Sequence, residues 1–433
     1  MKLFGTMKIN EQGNLSIGGC DTLQLAQRYS TPLYVMDEEL IRSNCKQFRD
    51  SFAAEGMDTE VIYASKAFLN IAVCKVIQEE GLGLDVVSGG ELYTALRAGF
   101  PAQRIYMHGN NKTYEELAMA IEAGVGRIVA DNAQELVLIE EISKKLGKTV
   151  DILFRVNPGI EAHTHAYIQT SKHDSKFGES IFSDVVGEII ETIRDSSHIR
   201  LKGLHCHIGS QIFEEESFLA SAKVMLDFVA SLKTDYYFET EELNLGGGFG
   251  VYYSNGDNPV DLEHCLSALL SFAASYTKGL DIKLPKLMIE PGRAIVANAG
   301  TTLYSIGGIK KTYGERNYVF IDGGMSDNPR TALYDAKYDA LIANKANKEC
   351  VEKYTVAGKC CESGDIIIRD IDLPIAEKND ILAVLSTGAY NYSMASNYNR
   401  IPRPAVVFVK DGQSRLAVKR ESYEDILRND ILI

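Results

Sequence analysis

Eight short runs of β-branched and apolar residues alternate with amphipathic stretches between residues 61 and 293. The runs begin at Val61, Leu84, Ile105, Ile128, Asp151, Leu201, Leu243 and Lys286. In the stretches between them, such as GGELYTALRAG and AQELVLIEEISKKLG, apolar residues recur every three or four positions and a glycine follows, which predicts helices. Strands that alternate with helices form parallel sheets, and eight such units fill a (β/α)8 barrel. We therefore predict an α/β protein built on a TIM-type barrel.

The pattern changes after about Ala294, where short strand-like runs are separated by Gly, Asn, Asp and Pro. Examples are YVFIDGG, DIIIRDIDLP and DILAVLSTGAY, and such spacing is typical of antiparallel β structure. The first residues carry their own turn signals and the strand-like PLYVM, so they could lie in either domain. We predict a barrel over residues 37–290 and a mostly antiparallel β domain, sandwich-like or barrel-like, formed by residues 1–36 and 291–433.

Composition narrows the kind of ligand. The 433 residues are 45% hydrophobic and 24% charged, as in a globular enzyme with two cores. The net charge of -14 argues against nucleic acid and anionic membranes, because both are bound through clustered Lys and Arg. No apolar run approaches the roughly 20 residues that span a bilayer, and residues 1–10 lack the apolar core of a secretory signal. We expect a cytoplasmic protein that acts on small molecules.

Active sites of such barrels lie at the C-terminal ends of the strands, where the first run ends with Lys66 in YASKAF. Most lysines are solvated surface charges. At this position, however, a lysine can be a desolvated amine of lowered pKa that forms a Schiff base. Gly246, Gly247 and Gly248 follow the seventh run. Their backbone N–H groups could bind a phosphate, although a glycine run is more often a tight turn.

His205 and His207 in LHCHIGS are spaced to share one face of a strand. That spacing suits two metal ligands, a ring stacked on a cofactor or a core histidine. A metal site needs further ligands, and His163, His165 and His173 fall together in one long segment instead. We therefore expect no metal.

The eighth run ends with Glu290-Pro291-Gly292-Arg293. This could be a structural ion pair. At a barrel end, a carboxylate can also keep a pyridine nitrogen protonated, while arginine binds a carboxylate or phosphate through two hydrogen bonds. Three motifs of the β domain are turns by composition and become candidates for closing a site from outside the barrel. They are CESGD, which follows Cys360, NPR with the nearby Tyr334, and GAY.

Taken in order, eight motifs resemble the signatures of the diaminopimelate decarboxylase family, whose members are barrel-type enzymes that depend on pyridoxal 5'-phosphate. The motifs are YASKAF, DVVSGGEL, GLHCHIGSQ, NLGGGFG, EPGRAIV, NPRTALY, CESGD and GAY. The likeness extends from the N-terminal region to about residue 410. It implies that the chain is an amino-acid decarboxylase with this cofactor and a homodimer with shared active sites.

The resemblance also implies residue roles. Lys66 forms the Schiff base with the cofactor, His207 stacks on its ring and Glu290 pairs with the pyridine nitrogen. The other cofactor contacts would be Asp85, Ser210, Gly246, Gly247, Gly248, Pro291, Gly292, Arg293 and Tyr390. The substrate contacts would be Arg293, Arg330, Tyr334, Glu362 and Tyr390. Cys361 and Glu362 would enter from the partner subunit, with Cys361 as the proton donor and Cys360 as a packing residue.

Relatives with this fold also decarboxylate ornithine, lysine, arginine or carboxynorspermidine. Diaminopimelate has one carboxylate more than lysine, and Arg293, Arg330 and Tyr334 could bind it while Glu362 holds the distal amine. Where this chain has Glu362, diamine-forming relatives usually have aspartate. We expect conversion of meso-2,6-diaminopimelate to L-lysine and carbon dioxide, the last step of lysine synthesis. The stretch GIEAHTHAYIQTSKHDSKFG resembles the family's mobile loop over the site.

Three alternatives compete with this interpretation. A metal-dependent barrel hydrolase built on His205 and His207 would leave Lys66 and the glycine run without a role. A racemase with the same cofactor needs a second acid/base on the opposite face of the ring, and CESGD resembles the decarboxylases instead. A non-catalytic relative could have lost Lys66 or Cys361, yet both are present.

Overall fold

A computed structural model describes residues 2–160, 175–313 and 316–432. The chain forms two compact units. The barrel unit comprises Asn44–Gly250 and Asn258–Gly292. The β unit comprises Met1–Ser43, Val251–Asp257 and Arg293–Ile433. These boundaries differ by a few residues from those predicted. Residues 251–257 belong with the β unit although they lie between two barrel segments of the chain, which was not predicted.

The strands of the described residues are numbered in chain order. They are β1 Lys8–Ile9, β2 Leu15–Ile17, β3 Cys20–Asp21, β4 Leu33–Asp37, β5 Thr59–Ala64, β6 Gly83–Val86, β7 Ile105–Met107, β8 Arg127–Ala130, β9 Val150–Asn157, β10 Glu179–Ser180, β11 Ile199–His205, β12 Glu242–Asn244, β13 Lys286–Ile289, β14 Gly300–Lys311, β15 Asn317–Ile321, β16 Ala340–Ile342, β17 Glu352–Ala357, β18 Ile366–Leu373, β19 Ile381–Val384, β20 Ala405–Lys410 and β21 Gln413–Val418.

The α-helices of the described residues follow the same convention. They are α1 Thr22–Tyr29, α2 Glu38–Ser51, α3 Ile71–Glu79, α4 Gly89–Arg97, α5 Tyr114–Ala123, α6 Ala133–Leu146, α7 Val185–Ile193, α8 Glu215–Tyr236, α9 Leu262–Gly279, α10 Arg293–Val296, α11 Arg330–Tyr334 and α12 Tyr423–Leu427. None of these helices combines the length and apolar composition that spanning a bilayer requires.

The barrel unit is a closed sheet of eight parallel strands. Its order is β9-β11-β12-β13-β5-β6-β7-β8, and β8 pairs with β9 to close the ring. The short β10 adds to β9 outside the ring. Every one of the eight predicted runs forms one of these strands. Side chains from five strands meet in one buried cluster of Ile62, Tyr106, Val129, Leu153 and Met288. The predicted barrel is confirmed.

The barrel helices begin and end at the residues that their sequences favour. In α5, Thr113 and Glu116 form a capping box, in which each side chain accepts a hydrogen bond from the other's backbone N–H. In α6, the Asn132 side chain accepts from the Glu135 N–H. Both helices end at a glycine in the left-handed conformation, Gly124 or Gly147. These caps fix the residues at which α5 and α6 begin and end.

The β unit contains two mostly antiparallel sheets, as predicted. One is the small meander β1-β2-β3. The other has the order β18-β17-β15-β14-β4-β20-β21, with β19 pairing to both β14 and β16. Two pairs in it, β15 with β17 and β4 with β20, are parallel. The loop between β17 and β18 carries CESGD, and α11 begins at Arg330.

Candidate active site

Lys66 lies directly beyond the C-terminal end of β5, in a single 3-10 turn over Ser65–Ala67. Ser65 and Ala67 are fully buried, whereas Lys66 is exposed. The Ser65 hydroxyl donates to Glu91 at 2.8 Å and so fixes the turn. The lysine stands at the predicted strand end. Its amine is not desolvated as one expectation required, because Lys66 lies in the turn and not within the buried strand.

Asp85, in β6, is a buried carboxylate whose Oδ1 atom has no hydrogen-bond partner among the described residues. Burial raises the pKa of Asp85 to about 7, since desolvation outweighs the opposing effect of His108 and of the Lys66 ammonium. Glu290 adds to the rise by repulsion between like charges. A buried acceptor with an unused oxygen is costly, and such groups concentrate at functional sites.

We predict that Asp85 makes the cofactor-free protein less stable as pH rises. Between the unfolded pKa of about 3.9 and the native pKa of about 7, the native state holds a proton that the unfolded state has lost, so stability falls. Asp85→Asn removes this titration. From about pH 4 to about pH 8, the variant should gain on the order of 3 kcal/mol relative to the parent.

Urea unfolding at both pH values measures this difference. The exposed Asp235→Asn is the control and should change neither curve. Parallel pH profiles for Asp85→Asn and the parent would show that Asp85 is ionised in the native protein.

Glu290 directly follows β13 and is buried among three nitrogen atoms. Asn244 Nδ2 donates to Oε1 at 2.8 Å, His108 Nε2 lies 2.9 Å from Oε1, and His205 Nε2 lies 3.1 Å from Oε2. Burial alone would raise the pKa of Glu290, but His108 and His205 hold it well below its usual range. Burial lowers the pKa of His205 to about 4, so this ring is a neutral donor at pH 7. Glu290 is therefore an ionised carboxylate.

The possible metal ligands in the structure are not the pair of residues that the sequence suggested. That argument paired His205 with His207, but β11 ends at His205 and His207 lies beyond the strand. The structure groups His205 with His108 and Glu290 instead, and their ligand atoms lie within 4.8 Å of one another. This set has the size of a metal site. The Glu290 carboxylate is already hydrogen-bonded to His205 and Asn244 and lies within ion-pair distance of His108, so these side chains stabilise one another.

His207 is half-buried, and its Nδ1 atom accepts a hydrogen bond from the Gly247 N–H at 3.2 Å. Burial lowers the pKa of His207 well below its ordinary value, and the nearby Lys66 ammonium lowers it further. The acceptor role of Nδ1 places the proton of the neutral ring on Nε2. His207 is thus a neutral ring of fixed orientation near Lys66.

The glycine run does not present three free amides. The Gly246 N–H donates to Asn244 at 2.8 Å, and the Gly247 N–H is used by His207. Among the described residues, only Gly248 of the three has an N–H without an acceptor. A Cβ atom at Gly247 would lie 2.2 Å from the Glu290 carbonyl, so the run also lets two strand ends approach closely. Of the three amides predicted to bind a phosphate, those of Gly246 and Gly247 make internal hydrogen bonds and that of Gly248 is available.

In the β unit, Arg293 and Arg330 are buried around the ring of Tyr253. Arg293 Nη1 donates to the Tyr253 hydroxyl at 2.7 Å, and its guanidinium carbon lies 4.7 Å from the Tyr390 ring centroid. The Arg330 guanidinium lies 4.8 Å from the Tyr253 centroid and donates to the Tyr338 hydroxyl at 2.6 Å. We call these five residues the arginine–tyrosine cluster.

Two buried cations in one cluster attract anions. Burial would raise the pKa of Tyr253, but Arg293 and Arg330 lower it overall. Among the described residues, no carboxylate forms an ion pair with Arg330. Tyr334 ends the same helix, is half-buried and makes no hydrogen bond or ring contact with the cluster. The structure therefore brings Arg293, Arg330 and Tyr390 together with Tyr253 and Tyr338, and Tyr334 lies outside this cluster.

Cys360 is buried and Cys361 is exposed. Both lie in the loop after β17. The Cys361 N–H donates to Asn399 at 2.7 Å. Glu362 is exposed beside it, and the Tyr398 hydroxyl donates to it at 3.4 Å. Cys361 and Glu362 thus stand at an ordered, solvent-facing tip.

Comparison with known proteins defines the class first. Residues 38–297 match the family described as pyridoxal-dependent decarboxylase, pyridoxal binding domain. A barrel with a strand-end lysine and an ionised carboxylate agrees with that class.

Full-length relatives then narrow the family. The diaminopimelate decarboxylase of Bacillus subtilis (strain 168) is 51% identical, over 100% of this chain and 98% of the relative. That of Bacillus methanolicus is 50% identical, over 97% and 98%. A crystal structure of diaminopimelate decarboxylase from M. jannaschii in complex with L-lysine superposes with a TM-score of 0.92 at 36% identity, covering 99% of this chain and 98% of that one. The chain belongs to the diaminopimelate decarboxylase family.

Proposed function

We propose that the protein is a pyridoxal-phosphate-dependent decarboxylase that converts meso-2,6-diaminopimelate to L-lysine and carbon dioxide, the last step of lysine biosynthesis. The observation that carries the proposal is the barrel-end group of Lys66, Asp85, His207 and Glu290. Lys66 acts electrostatically on both Asp85 and His207, and Asp85 is repelled by Glu290, so the four form one electrostatic group. Full-length relatives named diaminopimelate decarboxylase support the choice of substrate.

The barrel residues fit pyridoxal phosphate. The exposed Lys66 amine is available for a Schiff base, the ionised Glu290 can pair with a protonated pyridine nitrogen, and the neutral His207 ring can stack on the cofactor. The unused Asp85 oxygen and the Gly248 N–H supply one further acceptor and one donor. We assign the remaining cofactor contacts to Ser210, Gly246, Gly247, Pro291, Gly292, Arg293 and Tyr390.

When bound, the cofactor supplies an electron sink for the pair of electrons left behind as carbon dioxide departs. The chain's own residues prepare this step. The hydrogen bonds from Asn244 and His205 and the nearby His108 keep Glu290 ionised, so it favours the proton on a pyridine nitrogen. The Gly247 N–H holds the His207 ring in one orientation. The Lys66 amine is free to take up or release a proton as substrate enters and product leaves.

The arginine–tyrosine cluster is the proposed site for anionic groups of the cofactor and substrate. Arg293 follows Glu290, Pro291 and Gly292 directly in the chain, so we assign it to the same active site. We assign Arg330 to the distal carboxylate of diaminopimelate. Ornithine and lysine have no group for it, and a buried cation without a partner is penalised by several kcal/mol. This arrangement favours diaminopimelate over the diamine precursors. Tyr334 remains a proposed substrate contact.

We propose that Cys361 and Glu362 complete the active site of a partner subunit in a homodimer. Both are exposed at the tip of the β17–β18 loop, where a second copy of the chain can contact them. In this arrangement Cys361 returns a proton to the α-carbon, and Glu362 binds the distal amine. The monomer is then inactive.

Cys361→Ala should lower kcat for diaminopimelate about 10²-fold to 10³-fold, the usual effect of losing a general acid, with little change in KM. Its buried neighbour is the matched control. Cys360→Ala removes a thiol of similar size but leaves the tip in place, so kcat should stay within about threefold while the melting temperature falls. Steady-state kinetics of both variants measures this. Equal losses would place the proton donor elsewhere.

A racemase with the same cofactor is the remaining competitor, and product analysis distinguishes the two. Incubation with meso-diaminopimelate should give L-lysine and carbon dioxide in equal amounts. Formation of other diaminopimelate stereoisomers without carbon dioxide would identify a racemase.

The net charge of -14 and a small charged substrate also lead us to propose a cytoplasmic location without membrane or nucleic-acid partners.

A further inference from the structure

Asp365, the last residue of CESGD, is buried although its neighbours Cys361 to Gly364 are exposed. Its two carboxylate oxygens accept from different segments of the β unit. Oδ2 accepts from the Cys360 N–H at 2.8 Å, and Oδ1 accepts from the Met325 N–H at 2.7 Å. One carboxylate therefore joins the loop that carries Cys361 to a second loop.

The space around this carboxylate is confined by two glycines. A Cβ atom at Gly358 would lie 2.2 Å from Oδ2, and one at Gly324 would lie 2.4 Å from it. The backbone supports the same junction, since the Lys359 N–H donates to the Gly323 carbonyl at 2.9 Å. The two loops are thus packed closely around Asp365, and a side chain larger than that of glycine at position 324 or 358 would collide with its carboxylate.

The second loop, which contains Met325, leads to Arg330, the arginine proposed to bind the substrate. Residues 324–329 form a turn, closed by the Asn328 N–H on the Gly324 carbonyl at 2.8 Å, and α11 then begins with Arg330. Asp327 fixes the same turn from within, because its Oδ1 accepts from the Gly324 N–H at 2.9 Å while Tyr304 donates to Oδ2. Unlike Asp365, Asp327 accepts no hydrogen bond from the Cys361 loop.

We propose that Asp365 is a positioning residue that sets two groups at once, Arg330 in the active site of its own chain and Cys361 with Glu362 in the active site of the partner subunit. The inference rests on the proposed function, because it takes from it the roles of these residues and the shared sites. Its new content is that one buried carboxylate orients residues of both active sites of the dimer.

Hybrid dimers separate the two effects. A Cys361→Ala chain paired with a Lys66→Ala chain has one complete active site, which uses Lys66 and Arg330 of the first chain and Cys361 of the second. Such hybrids, prepared with two affinity tags, should regain activity that neither variant has alone. If they regain none, the shared-site proposal fails. The role of Asp365 is then tested in the Asp365→Asn homodimer, by measuring whether KM or kcat changes.

Asp365→Asn is then placed in one chain of the hybrid at a time. An amide presents only one oxygen, so one of the two N–H donors loses its acceptor. On the chain that supplies Cys361, we expect kcat to fall about tenfold or more, with KM unchanged. On the chain that supplies Arg330, we expect KM for diaminopimelate to rise about tenfold, with a smaller change in kcat.

Asp327→Asn is the matched control, since it loosens the same turn without touching the Cys361 loop. It should raise KM on the Arg330 chain and change nothing on the Cys361 chain. If Asp365→Asn does not fold, Asp365→Ser, which is smaller and keeps one acceptor, takes its place. The same changes in kcat and KM from both placements would mean that Asp365 only stabilises the fold. Kinetics like the parent's from either placement would overturn the proposal.

Discussion

Lys66→Ala is expected to abolish decarboxylation, with kcat falling by about 10³-fold or more, as when other covalent catalytic residues are removed. Among the described residues, Lys66 is the lysine whose charge acts on both Asp85 and His207, so we expect the Schiff base to form on its amine. The variant should also lose the absorbance that the lysine-bound cofactor gives to the parent. Spectra and carbon dioxide release, measured on the same preparations, test both expectations.

The control for this variant is Lys75→Ala, which removes an exposed lysine of α3 in the same unit. It should keep the spectrum and the activity of the parent. A second measurement identifies the bound lysine directly: after reduction with a hydride donor, peptide mapping should find the cofactor on the peptide that contains Lys66. Cofactor on another lysine would contradict the assignment.

Glu290→Gln is expected to have the second largest effect, a fall in kcat of about 10²-fold or more. Glutamine has nearly the same shape, but it is neutral, and its amide nitrogen either faces the Asn244 donor or requires a change of tautomer in a neighbouring histidine. Without the negative charge, a pyridine nitrogen is no longer held protonated, and the electron sink weakens. The unpaired donor should also lower the free energy of unfolding by about 2 kcal/mol.

Glu135→Gln separates the two consequences. Glu135 is another buried carboxylate of the barrel unit, bonded to Lys112 at 2.6 Å. Loss of the Glu135 charge should lower the free energy of unfolding by an amount of the same order as Glu290→Gln does, because the buried Lys112 ammonium loses its ionic partner. The activity of its folded fraction should stay close to that of the parent. Urea unfolding and kcat for both variants provide the test, and a similar loss of kcat in both would reduce the role of Glu290 to stability.

The barrel could be predicted because its strands are short and buried on both faces. Each strand therefore appears as an apolar run, and capping residues such as Thr113 and Gly124 mark the helix between two runs. Lys66 and Glu290 could be found for the same reason, since each directly follows a run and barrel sites gather at that end.

The side chains that surround the Glu290 carboxylate could not be derived from the sequence. Asn244 and His108 come from other strands, and only closure of the barrel brings them to the carboxylate. A signal existed, because both stand at or just beyond the end of a run. The prediction that His205 and His207 share one face of a strand was wrong. Period-two spacing applies only within a strand, and β11 ends at His205.

The β unit was harder to predict at the level of side chains. Tyr253 lies in the segment 251–257, which the sequence placed in the barrel, and Tyr338 follows α11 in a loop without regular spacing. Their contacts with Arg293 and Arg330 link residues far apart in the chain. Tyr334, which the family resemblance implied, has no contact in the structure that tests its role.

The central claim is that the protein decarboxylates diaminopimelate and not its diamine-forming analogues. The most direct test is the rate of carbon dioxide release by the purified protein with added pyridoxal phosphate, compared for meso-diaminopimelate, L-lysine, L-ornithine and L-arginine. We predict release from diaminopimelate, and rates at least about 10²-fold lower for the other three. Preferred release from ornithine, lysine or arginine would contradict the assignment of Arg330 to a distal carboxylate, and no release from any of the four would contradict the proposed function itself.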